Sequence, residues 1–328
     1  VIPRTVLVAP DAFKGTLSSP QVAAAVGRGL EQGGLPAPDL CPVADGGEGT
    51  LDVLLGALGG ELGQADVADP LGRPVSARYG RARGGAAAIV EVAEASGLDR
   101  VAEPERDAEA ADSRGTGELI LAAAREGAEQ ILVAAGGSAT TDGGAGAIEA
   151  IRRGGGLGRA RLVVLCDVRT PFEQAAERFA PQKGADAAAV RRLSARLRRL
   201  AARLERDPRG VPMTGAAGGL AGGLWAAFGA RLAPGAPYVL DALGFDARLR
   251  RARAVVVGEG RLDRGTLEGK AVFEIATRAR QMGVPAHAVV GENALDRFDA
   301  RIMDLQAILE AGDAAALSRA GRRLAAML

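Results

Sequence analysis

Histidine is almost missing from this chain, with only His287 among 328 residues. Triads and dyads that use imidazole as the base are thereby excluded, and proton transfer falls to Asp or Glu. Cysteine is nearly as scarce. Cys41 and Cys166 are too few and too far apart in sequence for a disulfide framework, and the paired Cys and His of a zinc site are absent. Aromatics make up 3% and the formal net charge is +1, which leaves neither stacking platforms nor an electrostatic footprint for nucleic acid. No window approaches the ~18 uninterrupted apolar residues of a membrane span. The start, Val1 to Pro10, reads as a strand and not as a signal peptide, which predicts a cytoplasmic protein.

Lysine is the more instructive scarcity. Of 41 basic residues only Lys14, Lys183 and Lys270 are not arginine, and each adjoins a glycine: Gly15, Gly184 and Gly269. Lysine offers a compact ammonium where arginine offers a planar fork, and a neighbouring glycine lets a ligand approach the main chain. The three lysines are therefore candidates for contacts to phosphate or carboxylate oxygens.

The length predicts two domains. An apolar run at Thr5 to Ala9, a helix from Ser19, a strand at Leu40 to Ala44 and a helix from Thr50 to Leu58 form a βαβα unit. Asp69-Pro70-Leu71-Gly72 is a turn signal, followed by alternation at Val75, Ala77 and Tyr79 that reads as antiparallel sheet. The alternating pattern of strand and helix returns near Arg250, with strands at Ala254 to Val257, Ala286 to Val290 and Leu305 to Leu309. Five strands before residue 60 and after 250 predict an α/β fold, a flavodoxin-like doubly wound parallel sheet over 1–62 and 250–328. A second mixed α/β domain, 63–249, is inserted into it. Within the insertion, Asp186 to Asp207 carries Val190, Leu193, Leu197, Leu200 and Leu204 at helical spacing, which predicts an amphipathic helix packed on its own domain.

Ligands of open parallel sheets bind beyond the carboxyl ends of strands. Acidic residues recur there: Asp11, Asp45 and Glu48, Asp167, then Glu259 and Asp263. Carboxylates without histidine favour a hard cation such as magnesium, held by one or two of them plus substrate phosphates. The segment Gly136-Gly137-Ser138-Ala139-Thr140-Thr141-Asp142-Gly143-Gly144 follows a strand and precedes a helix. Its glycines and hydroxyls, with the helix N-terminus behind them, predict a phosphate loop. No Gly-Lys-Ser/Thr closes it, and no dinucleotide fingerprint occurs. A second glycine set, Gly215, Gly218, Gly219, Gly222 and Gly223, fits either close helix packing or ligand contact.

These motifs together resemble the bacterial glycerate kinases of the glycerate 2-kinase type. The resemblance is carried by Ala9 to Gly15, Pro42 to Gly49, Ser113 to Ile120, Gly136 to Gly144, Cys166-Asp167-Val168, Pro181 to Gly184, Gly215 to Gly219, Gly258 to Asp263 and Gly269-Lys270. All three lysines fall inside it. Departures are a shortened segment between the glycine-rich loop and the Cys-Asp-Val strand, Ala145 to Ala160, and Thr141, Asp112 and Glu268 where the family usually has Asn, Thr and His.

The resemblance implies transfer of phosphate from ATP to D-glycerate, usually giving 2-phosphoglycerate, with magnesium. In that reading Gly136, Gly137, Ser138, Thr140, Thr141, Asp142, Gly143 and Lys183 hold ATP, and magnesium sits near Asp167 and Glu259. Asp11, Lys14, Glu48, Arg261 and Lys270 face glycerate, whose carboxylate meets Lys14 or Arg261. The base is Asp167, Asp45 or Asp263. Other readings open on sequence alone are a nucleotide-binding sensor without turnover, a kinase for another short hydroxy acid, and a hydroxy-acid dehydrogenase. The dehydrogenase is opposed by the missing fingerprint. Monomer and homodimer are both open.

Overall fold

A computed structural model describes residues 5–328. Among them are eleven strands: β1 Val6–Pro10, β2 Asp39–Leu40, β3 Gly60–Ala68, β4 Pro74–Ala82, β5 Ala87–Glu91, β6 Gln130–Ala134, β7 Arg161–Cys166, β8 Arg231–Pro234, β9 Ala254–Leu262, β10 Ala286–Asn293 and β11 Leu305–Glu310. They build two sheets in two compact units, residues 1–45 with 236–328 and residues 46–235.

The first unit has strand order β2-β1-β9-β10-β11, every pair parallel. In the unit's own numbering that is 2-1-3-4-5, the flavodoxin-like order, whose switch point lies between β1 and β9. The apolar runs of β1 and of Ala254 to Val257 are buried throughout because helices cover both faces. One face packs the Ser19–Gln32 and Ala314–Ala325 helices. The first of these starts from a capping box, in which the Ser18 amide donates to Gln21 Oε1 at 2.9 Å.

The second unit has order β3-β4-β5-β6-β7-β8, antiparallel at β3/β4 and β4/β5 and parallel from β5 onward. The turn expected at Asp69 to Gly72 joins β3 to β4, with Gly72 at φ +84° and its amide donating to Asp69 O at 3.0 Å. Strand β3 escaped the sequence reading because Gly60 and Gly63 dilute its alternation, leaving only Val67 buried. The arginine-rich helix, Ala187–Ala201, buries Leu193, Leu197 and Ala201 against Phe172, Ala175 and Ala176 of its own unit.

The domain boundaries move from 62/63 and 249/250 to 45/46 and 235/236. The Thr50–Leu58 helix packs on β4 and β5 and so belongs to the second unit. Ala236, Leu240, Phe245 and Leu249 join the first unit's core. Helices contribute to whichever core receives their apolar face, and composition did not reveal which that was. The shortened segment closes cleanly after the Ala145–Arg153 helix. Gly154, Gly155 and Gly156 donate their amides to Ala150 O, Arg152 O and Ile151 O, and Arg161 N bonds Glu129 O at the entry to β7.

Candidate functional site

In the first unit the switch point gathers acids. Pairing of Pro10 with Gly258 sets Asp11, just past β1, beside Glu259 on β9. Strand β9 runs on to Leu262, so Glu259 is a strand residue and not the loop residue expected. Asp11 is buried, its amide donating to Gly258 O at 2.8 Å and its Oδ1 accepting from Ala12 N at 2.7 Å. Burial first, then the charges of Asp45 and Glu259, holds its carboxyl well above the ordinary range against the pull of Lys14. Asp45 is itself buried and Lys14 is exposed.

Glu259 accepts from Thr266 Oγ1 at 2.7 Å through one oxygen and from Lys270 Nζ at 3.3 Å through the other. Burial raises its carboxyl, with Lys270 opposing. With both oxygens engaged, Glu259 anchors Lys270 and is poorly disposed to serve as the metal ligand expected of it. Asp263 is the N-cap of the 3₁₀ helix Arg264–Glu268. Its Oδ1 accepts from Gly265 N at 2.9 Å and its amide donates to Thr266 Oγ1 at 3.2 Å. A capping carboxylate is held by its own loop, which removes most of the case for Asp263 as the base. Arg261 is exposed between Asp263, at 3.7 Å, and Glu292, at 3.5 Å.

In the second unit the glycine-rich loop follows β6. Asp142, completely buried, turns inward: Oδ2 accepts from Ser113 N (3.0 Å), Ser113 Oγ (2.8 Å) and Gly146 N (3.0 Å), and Oδ1 from Gly144 N (3.0 Å). Ser113 Oγ accepts from Ala147 N at 3.1 Å. The first-turn amides of the Ala145–Arg153 helix are thus consumed by Asp142 and Ser113. The expectation that this helix end, and Asp142, would face phosphate is corrected accordingly, because a satisfied donor has nothing left for an anion.

What the loop does offer is a buried ammonium and unused hydroxyls. Lys183 is 6% exposed and donates to Ser138 Oγ at 3.0 Å and to Thr140 O. Burial lowers it to about 7, with Asp142 and Asp167 opposing. The Oγ1 atoms of Thr140 and Thr141 are fully buried and have no hydrogen-bond partner. Buried hydroxyls are rarely left so, and a phosphate oxygen is a fitting acceptor for them. Asp167 follows β7, half-buried.

The second glycine set resolves as close packing. A Cβ on Gly218, at φ +64°, would fall 1.9 Å from Thr140 O, and Gly218 O accepts from Gly143 N at 3.1 Å. Gly136 in turn lies so close to Gly47 that a Cβ would meet its Cα at 2.3 Å. Glu48 is exposed beside it.

Three contributors were not singled out from sequence: Ser113 and Thr266, which hold Asp142 and Glu259, and Glu91. Ser113 opens a quoted motif, so that signal was present; a lone Thr or a strand-end Glu carries none. Among the described residues no group of three or more His, Cys, Asp or Glu side chains is arranged to hold a metal, and no helix is long and apolar enough to cross a membrane.

The glycerate kinase family model matches residues 6–154 and 155–326, breaking at the shortened segment. A glycerate kinase of Halalkalibacterium halodurans is 36% identical over 372 aligned positions, covering 98% of this chain and 97% of the relative. The glycerate 2-kinase of Escherichia coli is 35% identical, covering 87% of this chain and 84% of its own. A crystal structure from Salmonella typhimurium LT2, assigned as glycerate kinase 2, superposes with TM-score 0.81 at 33% identity, covering 98% of this chain and 97% of that one.

Proposed function

The chain belongs to the glycerate kinase family, and on that premise we propose that it transfers the γ-phosphoryl group of ATP to the 2-hydroxyl of D-glycerate, giving 2-phosphoglycerate and ADP. The observation that carries the phosphate half of this reading is Lys183, a buried ammonium that donates to the uncharged Ser138 Oγ and Thr140 O beside the hydroxyls of Thr140 and Thr141, which have no partner among the described residues. The name of the Escherichia coli relative supports the 2-position.

In this reading Lys183, Ser138, Thr140 and Thr141 take phosphate oxygens of the nucleotide. An anion at Lys183 restores the charge that burial disfavours, so nucleotide binding and lysine protonation reinforce each other. Among the described residues no group of acidic side chains cages a metal, which suits a magnesium ion that enters with the nucleotide, and Asp167 would be the protein's contribution. When bound, the ion would neutralise charge on the phosphoryl group and its leaving oxygen.

Lys14, with Arg261 as the other candidate, meets the glycerate carboxylate, and Asp11, Glu48 and the anchored Lys270 complete the contacts. Asp45 takes the proton of the 2-hydroxyl as its oxygen attacks the γ-phosphorus and ADP leaves. Asp45 is preferred to Asp167 because it lies in charge contact with Asp11 and Glu259, whereas Asp167 acts on Lys183.

ADP release by the purified protein with ATP and magnesium, with and without D-glycerate, tests the reading, followed by identification of the product. Glycerate-dependent release of 2-phosphoglycerate is expected. ATP binding without turnover would overturn it in favour of a sensor.

A further inference from the structure

Glu91 ends β5 and is 4% exposed, and among the described residues its partners are two backbone amides. Its Oε1 accepts from Gly49 N at 3.1 Å and its Oε2 from Leu51 N at 3.0 Å. Gly49, at φ +86°, is the N-cap of the Thr50–Leu58 helix, and its own chain has no side chain to offer there. Glu91 therefore caps that helix from 40 residues away in sequence, a tertiary substitute for the missing cap. Gly47, two residues before Gly49, is seated against Gly136 of the glycine-rich loop.

The carboxylates around Glu91 oppose its ionisation. Glu48 comes from the capped segment and Glu94 from the Val92–Ser96 helix. Arg78 of β4, a cation that interacts with it, spends its side-chain hydrogen bonds on Glu94 at 2.6 and 2.9 Å and lies 3.6 Å from Asp52. Burial first, then these carboxylates, push Glu91 up to about 7 against the two amides.

We infer that Glu91 is a positioning residue: its ionised carboxylate, by bridging the Gly49 and Leu51 amides, holds the Gly47–Gly49 segment and so orients Glu48 toward the acceptor substrate. This rests on the reading that Glu48 faces glycerate. A protonated carboxyl loses an acceptor and can no longer serve both amides equally, so acidification releases the segment. The sign for stability is opposite. A carboxyl raised in the fold above its unfolded value favours the fold fully below about 4.5, and that contribution is lost as pH rises through about 7. Acidification from pH 8 to 6 therefore lowers activity through this group without weakening the fold.

The test uses the whole protein. In ¹⁵N-labelled wild type, the Gly49 and Leu51 amide resonances should titrate together with a midpoint near 7, and in Glu91→Gln that titration should vanish. The kcat/KM for glycerate should fall by up to about tenfold between pH 8 and 6, the limit for one group titrating near 7, with KM carrying the change and the melting temperature not falling. Glu91→Gln should be flat at the low level. Amides that do not titrate together, an acid limb retained in Glu91→Gln, or titrating amides with flat wild-type kinetics each overturn the inference. If Glu91→Gln fails to fold, the wild-type titration and pH profile still decide. Failure of the parent reading looks different: no glycerate-dependent ADP release at any pH, with the amide titration intact.

Discussion

Replacing Lys183 with methionine separates two consequences of one buried charge. A lysine that falls from 10.5 to about 7 on folding penalises the fold by on the order of 4 kcal/mol at neutral pH, at about 1.4 kcal/mol per unit. The unfolded lysine keeps a proton that the folded one gives up above about 7, so wild-type stability should rise with pH between about 7 and 10.5. Lys183→Met abolishes that rise. It also leaves Thr140 O and Ser138 Oγ without the ammonium, which costs about 1–3 kcal/mol for each group left unsatisfied. The net expectation is a protein within about 2 kcal/mol of wild-type stability at pH 7, with a flatter stability curve up to pH 10. Catalysis does not share that balance. Loss of a charge-assisted donor to phosphate should lower kcat/KM for ATP about 10²- to 10³-fold. Urea denaturation at pH 7 and 9.5, with steady-state kinetics at varied ATP, reads both. A variant with wild-type kcat/KM and a wild-type dependence of stability on pH would refute the role of Lys183.

Four further outcomes follow from the geometry. Thr140→Val and Thr141→Val remove hydroxyls that have no protein partner, so each should leave stability unchanged or raise it by about 1 kcal/mol while raising KM for ATP. A lower melting temperature with unchanged KM would count against a ligand role. Asp142→Asn breaks a buried network of four bonds from Ser113, Gly144 and Gly146 and should cost about 3–5 kcal/mol in denaturant titrations. Gly218→Ala must fit a Cβ 1.9 Å from Thr140 O at a left-handed φ; loss of stability on the order of 3 kcal/mol or more is expected, together with weakened nucleotide binding. Asp45→Asn should lower kcat at least about 10²-fold with little change in KM for ATP, whereas Asp167→Asn should raise that KM. The reverse assignment would exchange base and metal ligand.

Much of this protein was legible before folding. The near absence of histidine turned the search for a base to the carboxylates, and of the three lysines singled out the structure sets Lys183 against Ser138 and Lys270 against Glu259. Local apolar runs placed β1 to within a residue and the starts of β9 and β10, because a strand buried on both faces needs an unbroken apolar run. The five strands outside the insertion reproduce the flavodoxin-like order, since short βα connections leave few alternatives.

Other features depended on contacts between residues far apart in sequence. An aspartate after a strand reads the same whether it caps a turn, as Asp263 does, binds the loop that carries it, as Asp142 does, or lies buried among other acids, as Asp45 does. A glycine-rich turn before a helix suggests an anion site, but only the arrival of Ser113 from another helix reveals that the helix amides are already spent. Glu91 and Gly49 are 42 residues apart, and nothing local to either predicts that one caps the other. Sequence determined which residue types could do chemistry here, because composition and periodicity act locally. The tertiary structure decided which of them kept an unsatisfied atom, because hydrogen-bond satisfaction belongs to the folded neighbourhood.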